Sequence, residues 1–340
     1  MHDDITRGAV APILAGGDTG AEHSSLWRQA SSKPDDLMSV RLTAIVLSVH
    51  SEQPVVLTGG ARGGPPEIRS VLPAVKFMPQ THPSLEVALR KAVTAATGRE
   101  LGFTEQLLTD YERWPTNRRL VDDRHCLSVS YMSLMREEQS SHTTAATWLK
   151  CYDLLPWEDY RNGRPPILQD VVLPALTQWA EDGDGFTGEA ASRRDRISFA
   201  FGTGTSGWDD QRVVDRFDLI EEAEIELPET VTQLANGERR LVAAALGRLR
   251  SKLRYRPVVF ELLPPEFTLF ELQKTVEAIL GPTLHKQNFR RLVEGTRLVE
   301  ATGEIRNNTG GRPAKTFRFR PEVLMEQPTP GVHVRPGRAA

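Results

Sequence analysis

Between residues 241 and 320 two breaks, Pro264-Pro265 and Gly281-Pro282, cut the chain into short pieces with room only for short helices and strands. Leu241 to Leu253 repeats apolar residues at Leu241, Ala244, Ala245, Leu249 and Leu253. Arg239, Arg240, Arg248, Arg250, Lys252 and Arg254 surround them, and the pattern predicts a basic amphipathic helix. Pro257 to Leu263 reads as a short strand. Thr268-Leu269-Phe270-Glu271 is a capping box, so a helix starts there and continues through Leu272, Val276 and Ile279 to Gly281-Pro282. A third helix, at about 285–294, carries Phe289, Leu292 and Val293 on one face. Leu298-Val299 and Thr316-Phe317-Arg318-Phe319 then read as two strands, with Phe317 and Phe319 inward and Arg318 and Arg320 outward. Helix, strand, helix, helix and basic hairpin is the order of a winged helix-turn-helix.

The third helix sets a cationic and amide surface against its apolar anchor. Lys286/Arg290 and Gln287/Arg291 are i, i+4 pairs, and such side chains suit phosphates and purine edges in a major groove. The candidate DNA-binding residues are Lys286, Gln287, Asn288, Arg290 and Arg291 on this helix, with Arg306, Arg312 and Lys315 in the glycine-rich wing. Charge agrees once it is divided along the chain. The net charge is −3, but residues 237–320 hold 17 Lys/Arg against 8 Asp/Glu, a surplus of +9, which leaves −12 on the remainder. An acidic body is joined to a basic module, and the expected partner is double-stranded DNA.

Residues 1–37 have no sustained periodicity and read as a flexible leader, and 326–340 as a tail. Val40 to Val49 and Val55-Val56-Leu57 are expected as paired strands. Ser84 to Thr97 is expected as a helix capped by Ser84 and closed by Gly98, with Leu127 to Leu134 and Trp148 to Leu154 as further strands. Helices are expected at about 166–180, with Ile167, Val171, Leu173 and Leu176 inward, and at 209–220. The stretch 181–190 and the Gly202 to Gly207 run read as loops. The body is therefore α+β. Two cysteines, Cys126 and Cys151, are too few for a disulfide framework, and no Cys/His spacing suggests zinc. With no signal-peptide pattern and no apolar run of membrane length, a cytoplasmic, nucleoid-associated protein with no cofactor and no membrane partner is expected.

The runs Phe260-Glu261-Leu262-Leu263-Pro264, Phe267 to Gln273, Asn288-Phe289-Arg290-Arg291 and Gly311-Arg312-Pro313-Ala314 resemble, in this order, the C-terminal winged helix of the NrtR family, the Nudix-related transcriptional regulators. Leu72-Pro73, Gly98, Glu105-Gln106-Leu107 and Ser128-Val129-Ser130-Tyr131 are similar to that family's N-terminal domain. Pro156-Trp157-Glu158-Asp159, Gly163-Arg164-Pro165 and Trp179-Ala180 look like an insertion of its longer members. The resemblance covers about residues 40–325. It implies a Nudix-like α/β/α sandwich over 38–236, with an insertion at about 156–220, followed by a winged helix-turn-helix over 237–325. It also implies a nucleotide effector of the ADP-ribose or NAD class, a link to NAD metabolism, and a homodimeric regulator, as repressor, on a near-palindromic operator.

The departure from the family pattern concerns catalysis. A working Nudix box gathers glutamates on one helix face to hold divalent cations. Counting back from Gly98, those positions hold Ala92, Ala95 and Ala96, with Lys91 at the arginine position and Pro83 and Phe77 at the earlier glutamate and glycine. The expectation is an inactive domain with no catalytic residues and no metal site. Arg113, Trp114 and Arg124, in or just after the Tyr111 to Arg119 run, are the candidate effector contacts, because a diphosphate wants arginines and adenine an aromatic face. The alternatives are a pyrophosphohydrolase with a relocated metal site, a regulator sensing another nucleotide or a sugar metabolite, and a module that docks a partner protein.

Overall fold

The computed structural model describes residues 39–60, 70–112, 126–136, 146–182, 187–204, 207–234, 237–306, 313–326 and 331–332. The expected leader, most of the expected tail, and Arg113, Trp114, Arg124 and Arg312 lie outside the described residues. Strands β1 (Ser39–His50), β2 (Gln53–Gly60), β3 (Ser70–Val71) and β4 (Ala74–Lys76) precede helix α1 (Leu85–Thr97). Strands β5 (Thr104–Glu112), β6 (Cys126–Leu134) and β7 (Ala146–Lys150) follow it. They form one mixed sheet in the order β3-β2-β1-β6-β5, with β4 also on β1 and β7 on β2. β1 runs parallel to β6 from Ser39↔Cys126 to Leu47↔Leu134. Its other edge is shared by β4 near Thr43↔Ala74 and β2 near Leu47↔Val56.

The two-residue period of the strands sorts the core. Leu42, Ala44 and Val46 of β1 and Val129 and Tyr131 of β6 pack on Ala88, Leu89 and Val93 of α1. Ile45, Leu47, Met132 and Leu134 point to the opposite face, into a core completed by the rest of the chain. α1 forms where its caps require: the Ser84 hydroxyl accepts from the Val87 N–H, and Gly98 closes the helix at φ +71°.

The segment after β7 wraps the second face. It comprises α2 (Cys151–Leu154), a 3₁₀ turn at Pro156–Glu158, a π turn at Leu168–Val172, α3 (Leu173–Glu181), α4 (Thr187–Phe201) and α5 (Val213–Glu222). Four details differ from the sequence expectation. The strand expected to reach Leu154 gives way to helix at Cys151, opposite Pro54, which has no N–H to continue the ladder. The π turn shifts the helical stripe, so that Leu168, Val172 and Ala180 are fully buried beside the expected Leu176, while Ile167 and Leu173 pack on the core only partly buried. The stretch expected as loop over 181–190 includes the start of α4, whose thin apolar stripe of Ile197, Ala200 and Phe201 gave little periodic signal. The helix expected over 209–220 starts at Val213.

Helix α6 (Glu238–Leu253), a 3₁₀ turn at Val258–Leu262, β8 (Phe267–Thr268), α7 (Leu269–Leu280), α8 (Lys286–Thr296), β9 (Val299–Arg306), β10 (Ala314–Phe319) and α9 (Val323–Glu326) complete the chain. β8, β10 and β9 pair as a three-stranded sheet in that order, the wing of a winged helix. The strand expected over 257–263 is the 3₁₀ turn. Val258, Val259, Phe260 and Leu262 are all buried, and a continuous apolar run does not by itself distinguish strand from helix. The fold is α+β: a Nudix-like sheet with α1 on one face and the wrapping helices with α6 on the other, followed by a winged helix.

Helix α6 belongs to both halves. Glu238 accepts from the Leu72 N–H at 2.8 Å and pairs with Arg41, while Val242, Leu246, Leu249 and Leu253 share one buried cluster with Ile45 and Met132. Its basic residues do not all lie on a solvated face, as a basic amphipathic helix would have them. Arg239, Arg250 and Lys252 are buried, and Arg240 and Arg254 are paired with Asp218 and Asp210.

Candidate nucleic-acid interface

The geometry of α8 is set from α7. The capping box is complete: the Thr268 hydroxyl accepts from the Glu271 N–H, and the Glu271 carboxylate accepts from the Thr268 N–H at 2.7 Å. At the other end of α7 the turn into α8 is held by two buried side chains that sequence reasoning missed. Glu277 accepts from the Leu284 N–H at 2.9 Å, and Gln273 donates to the Leu284 carbonyl at 2.9 Å and to Glu277 at 2.8 Å. The signal was available as a polar i, i+4 pair on an otherwise apolar helix face.

Phe289 and Val293 anchor α8 in the core, and Lys286, Gln287, Asn288, Arg290 and Arg291 are exposed together on the surface left over. Arg291 donates to the Asn288 side-chain oxygen at 3.2 Å, which braces these two against each other. His285, at the N-cap, makes no side-chain capping bond to the first turn of α8.

The wing only partly supplies the expected contacts. Lys315 is exposed on β10, beside a bulge in its pairing with β9. Arg306 is instead drawn back to the module, donating to Glu271 at 2.8 Å and to the Glu266 carbonyl at 3.0 Å, so it ties the wing to the capping box. Arg318 pairs with Glu300 across the strands at 2.6 Å.

Lys91, Ala92, Ala95 and Ala96, the residues that sequence spacing aligns with the box, lie on α1. Glu86 is spent on Arg90 at 2.8 Å, and Arg90 also donates to the carbonyls of Leu101 and Gly102. Among the described residues no three His, Cys, Asp or Glu side chains cluster as a metal site would require. No helix among them is long and apolar enough to cross a membrane.

A buried ion cluster joins the wrapping segment to the module. Glu158 accepts from Arg216 at 2.6 and 2.9 Å and also from Arg250 of α6, and all three side chains are fully buried. Burial alone would raise the Glu158 carboxyl, but the two guanidinium groups together hold it below its ordinary value. Arg250 also donates to the Ile279 carbonyl at 2.8 Å, and the Tyr152 hydroxyl donates to the Ala278 carbonyl at 2.7 Å. Gly281, at φ +99°, lies so close that a Cβ there would meet the Glu158 carbonyl oxygen at 2.6 Å. The end of α7 is thus seated on the wrapping segment.

Residues 259–319 match the family model described as the NrtR DNA-binding winged helix domain. A curated relative from Acinetobacter baylyi, named ADPR responsive transcriptional repressor NtrR, is 42% identical over 86 residues. The match spans 25% of this chain and 34% of the relative, about a third of its length. The crystal structure of Shewanella oneidensis NrtR complexed with a 27mer DNA is similar to this chain with a TM-score of 0.52 at 20% identity, over 84% of this chain and 95% of that one. The structure of Shewanella oneidensis NrtR alone gives a TM-score of 0.50 with the same coverage. The whole-chain likeness is one of fold, and the winged helix carries the family match.

Proposed function

We propose that this chain is a sequence-specific DNA-binding transcriptional regulator, a repressor acting as a homodimer on a near-palindromic operator. In this reading its Nudix-like body, over 38–236, binds a nucleotide of the ADP-ribose or NAD class without hydrolysing it, and 237–325 is the DNA-binding unit. The observation that carries the reading is the exposed Lys286, Gln287, Asn288, Arg290 and Arg291 surface on an α8 anchored by Phe289 and Val293, inside the segment matched as an NrtR winged helix. The name of the Acinetobacter relative and the DNA in the Shewanella complex support it. Arg312 and Lys315 are assigned to the backbone-contacting wing, and Arg113, Trp114 and Arg124 to the effector. Action on DNA places the protein in the cytoplasm at the nucleoid.

Loss of turnover follows from chemistry: alanine offers no oxygen to a divalent cation, and Ala92, Ala95 and Ala96 occupy the three carboxylate positions. One experiment tests both halves of the reading. Promoter DNA from the protein's own genome is titrated with the full chain, with and without ADP-ribose, and ADP-ribose is separately incubated with the chain and Mg²⁺ or Mn²⁺. The expected outcome is saturable DNA binding whose affinity changes with ADP-ribose, with product release no greater than in a protein-free control. Release above that control refutes the alanine argument and favours a hydrolase with a relocated metal site. Arg290→Ala is expected to cost about 1–3 kcal/mol of specific binding, and Lys315→Ala to lower the salt slope by about 1.

A further inference from the structure

The sheet and the winged helix leave a cavity of about 590 Å³ between them, within the roughly 300–1,000 Å³ usual for small-molecule sites, which favour such junctions. The body contributes Phe103, Glu105 and Arg136, and the module contributes the end of α6, the 3₁₀ turn, β8 and β10. Its apolar wall is aromatic. The Phe260 ring stacks on Phe319 at 4.5 Å and lies 5.5 Å from Phe267, a surface suited to a flat ring.

The charges on the lining narrow the ligand further. Arg136, Lys252 and Arg256 face Glu105 and Glu261, a net lining charge of +1. Lys252 is already neutralised by Glu105 at 2.6 Å, so the surplus rests on Arg136 and Arg256, neither of which has an ion pair among the described residues. Glu105 is held by Lys252 on one oxygen and faces Arg248 at 3.9 Å on the other, whereas Arg136 Nε has no hydrogen-bond partner. A diphosphate would bring two or more negative charges beside two carboxylates, which this lining does not balance.

We propose that this cavity is a binding site for an aromatic monocarboxylate, separate from the nucleotide site of the body. The ligand's ring lies against Phe260 and Phe319, and its carboxylate accepts from the Arg136 guanidinium. Because the walls come from both halves of the chain, such a ligand braces the winged helix against the sheet.

The test is calorimetric titration of the full chain with indole-3-carboxylate, with neutral indole-3-carboxamide as comparator. Circular dichroism checks that each variant is folded. Binding of one molecule per chain is expected. The amide and the Arg136→Gln variant should each be weaker by about tenfold or more, as expected for one lost charge-assisted hydrogen bond. Leu324→Trp, placed at the half-exposed mouth, should block binding sterically. No heat up to millimolar ligand, equal affinity for the amide, or binding unchanged in both variants overturns the proposal. Competitive displacement by ADP-ribose overturns the claim of a separate site, whereas failure of ADP-ribose to bind at all bears only on the nucleotide reading.

Discussion

Glu158 lies with Arg216 and Arg250 where water cannot screen them, so removing the carboxylate leaves two buried guanidinium groups facing each other. Glu158→Gln is expected to destabilise the fold by about 3–5 kcal/mol, measured by denaturant unfolding, since breaking a buried ion cluster costs more than the pair contributes. The pH dependence has a definite sign. The folded carboxyl titrates below its ordinary value of 4.5, so its stabilisation is complete above that value and is lost as pH falls through the lower folded value. Melting temperatures recorded from pH 6 to 3 should therefore fall more steeply for the parent than for Glu158→Gln. Gly281→Ala is expected to be destabilising as well, because the added methyl meets both an unfavourable φ and the Glu158 carbonyl. None of this was legible as a pair: Glu158 is 58 residues from Arg216 and 92 from Arg250, and only folding brings them together.

At the scale of elements, the parts specified by local chemistry were readable and the parts specified by tertiary contact were not. α1 and α7 are where Ser84, Gly98, Thr268 and Glu271 place them, because a cap is a short-range hydrogen bond. α6 was read as a basic surface because its arginines have the spacing of one. The structure buries several of them on carboxylates and carbonyls supplied by distant segments, which no helical period encodes. Of the candidate DNA contacts, the five on α8 share one exposed face, while Arg306 is claimed by the capping-box Glu271. Thr268→Ala should cost about 0.5–2 kcal/mol in unfolding free energy through the lost cap. Glu277→Ala frees the turn before α8 and should weaken DNA binding by more than its effect on stability explains. Equal losses in both measurements would show that the turn does not position the helix.

For the molecule as a whole, an acidic body, −9 over residues 38–236, is joined to the +9 of residues 237–320 through α6, which belongs to the core of both. In the proposed reading, the exposed cations of α8 offer DNA one basic face on a chain whose body is otherwise acidic. The measurement that bears most directly on this is selection of bound duplexes from a random-sequence library by the full chain and by Arg290→Ala, each followed by sequencing. The account predicts that the parent enriches a near-palindromic sequence and that the variant, though folded, loses the preference at one position of each half-site. Recovery of no preferred sequence by the parent, or of the same sequence with the same enrichment by the variant, would contradict it.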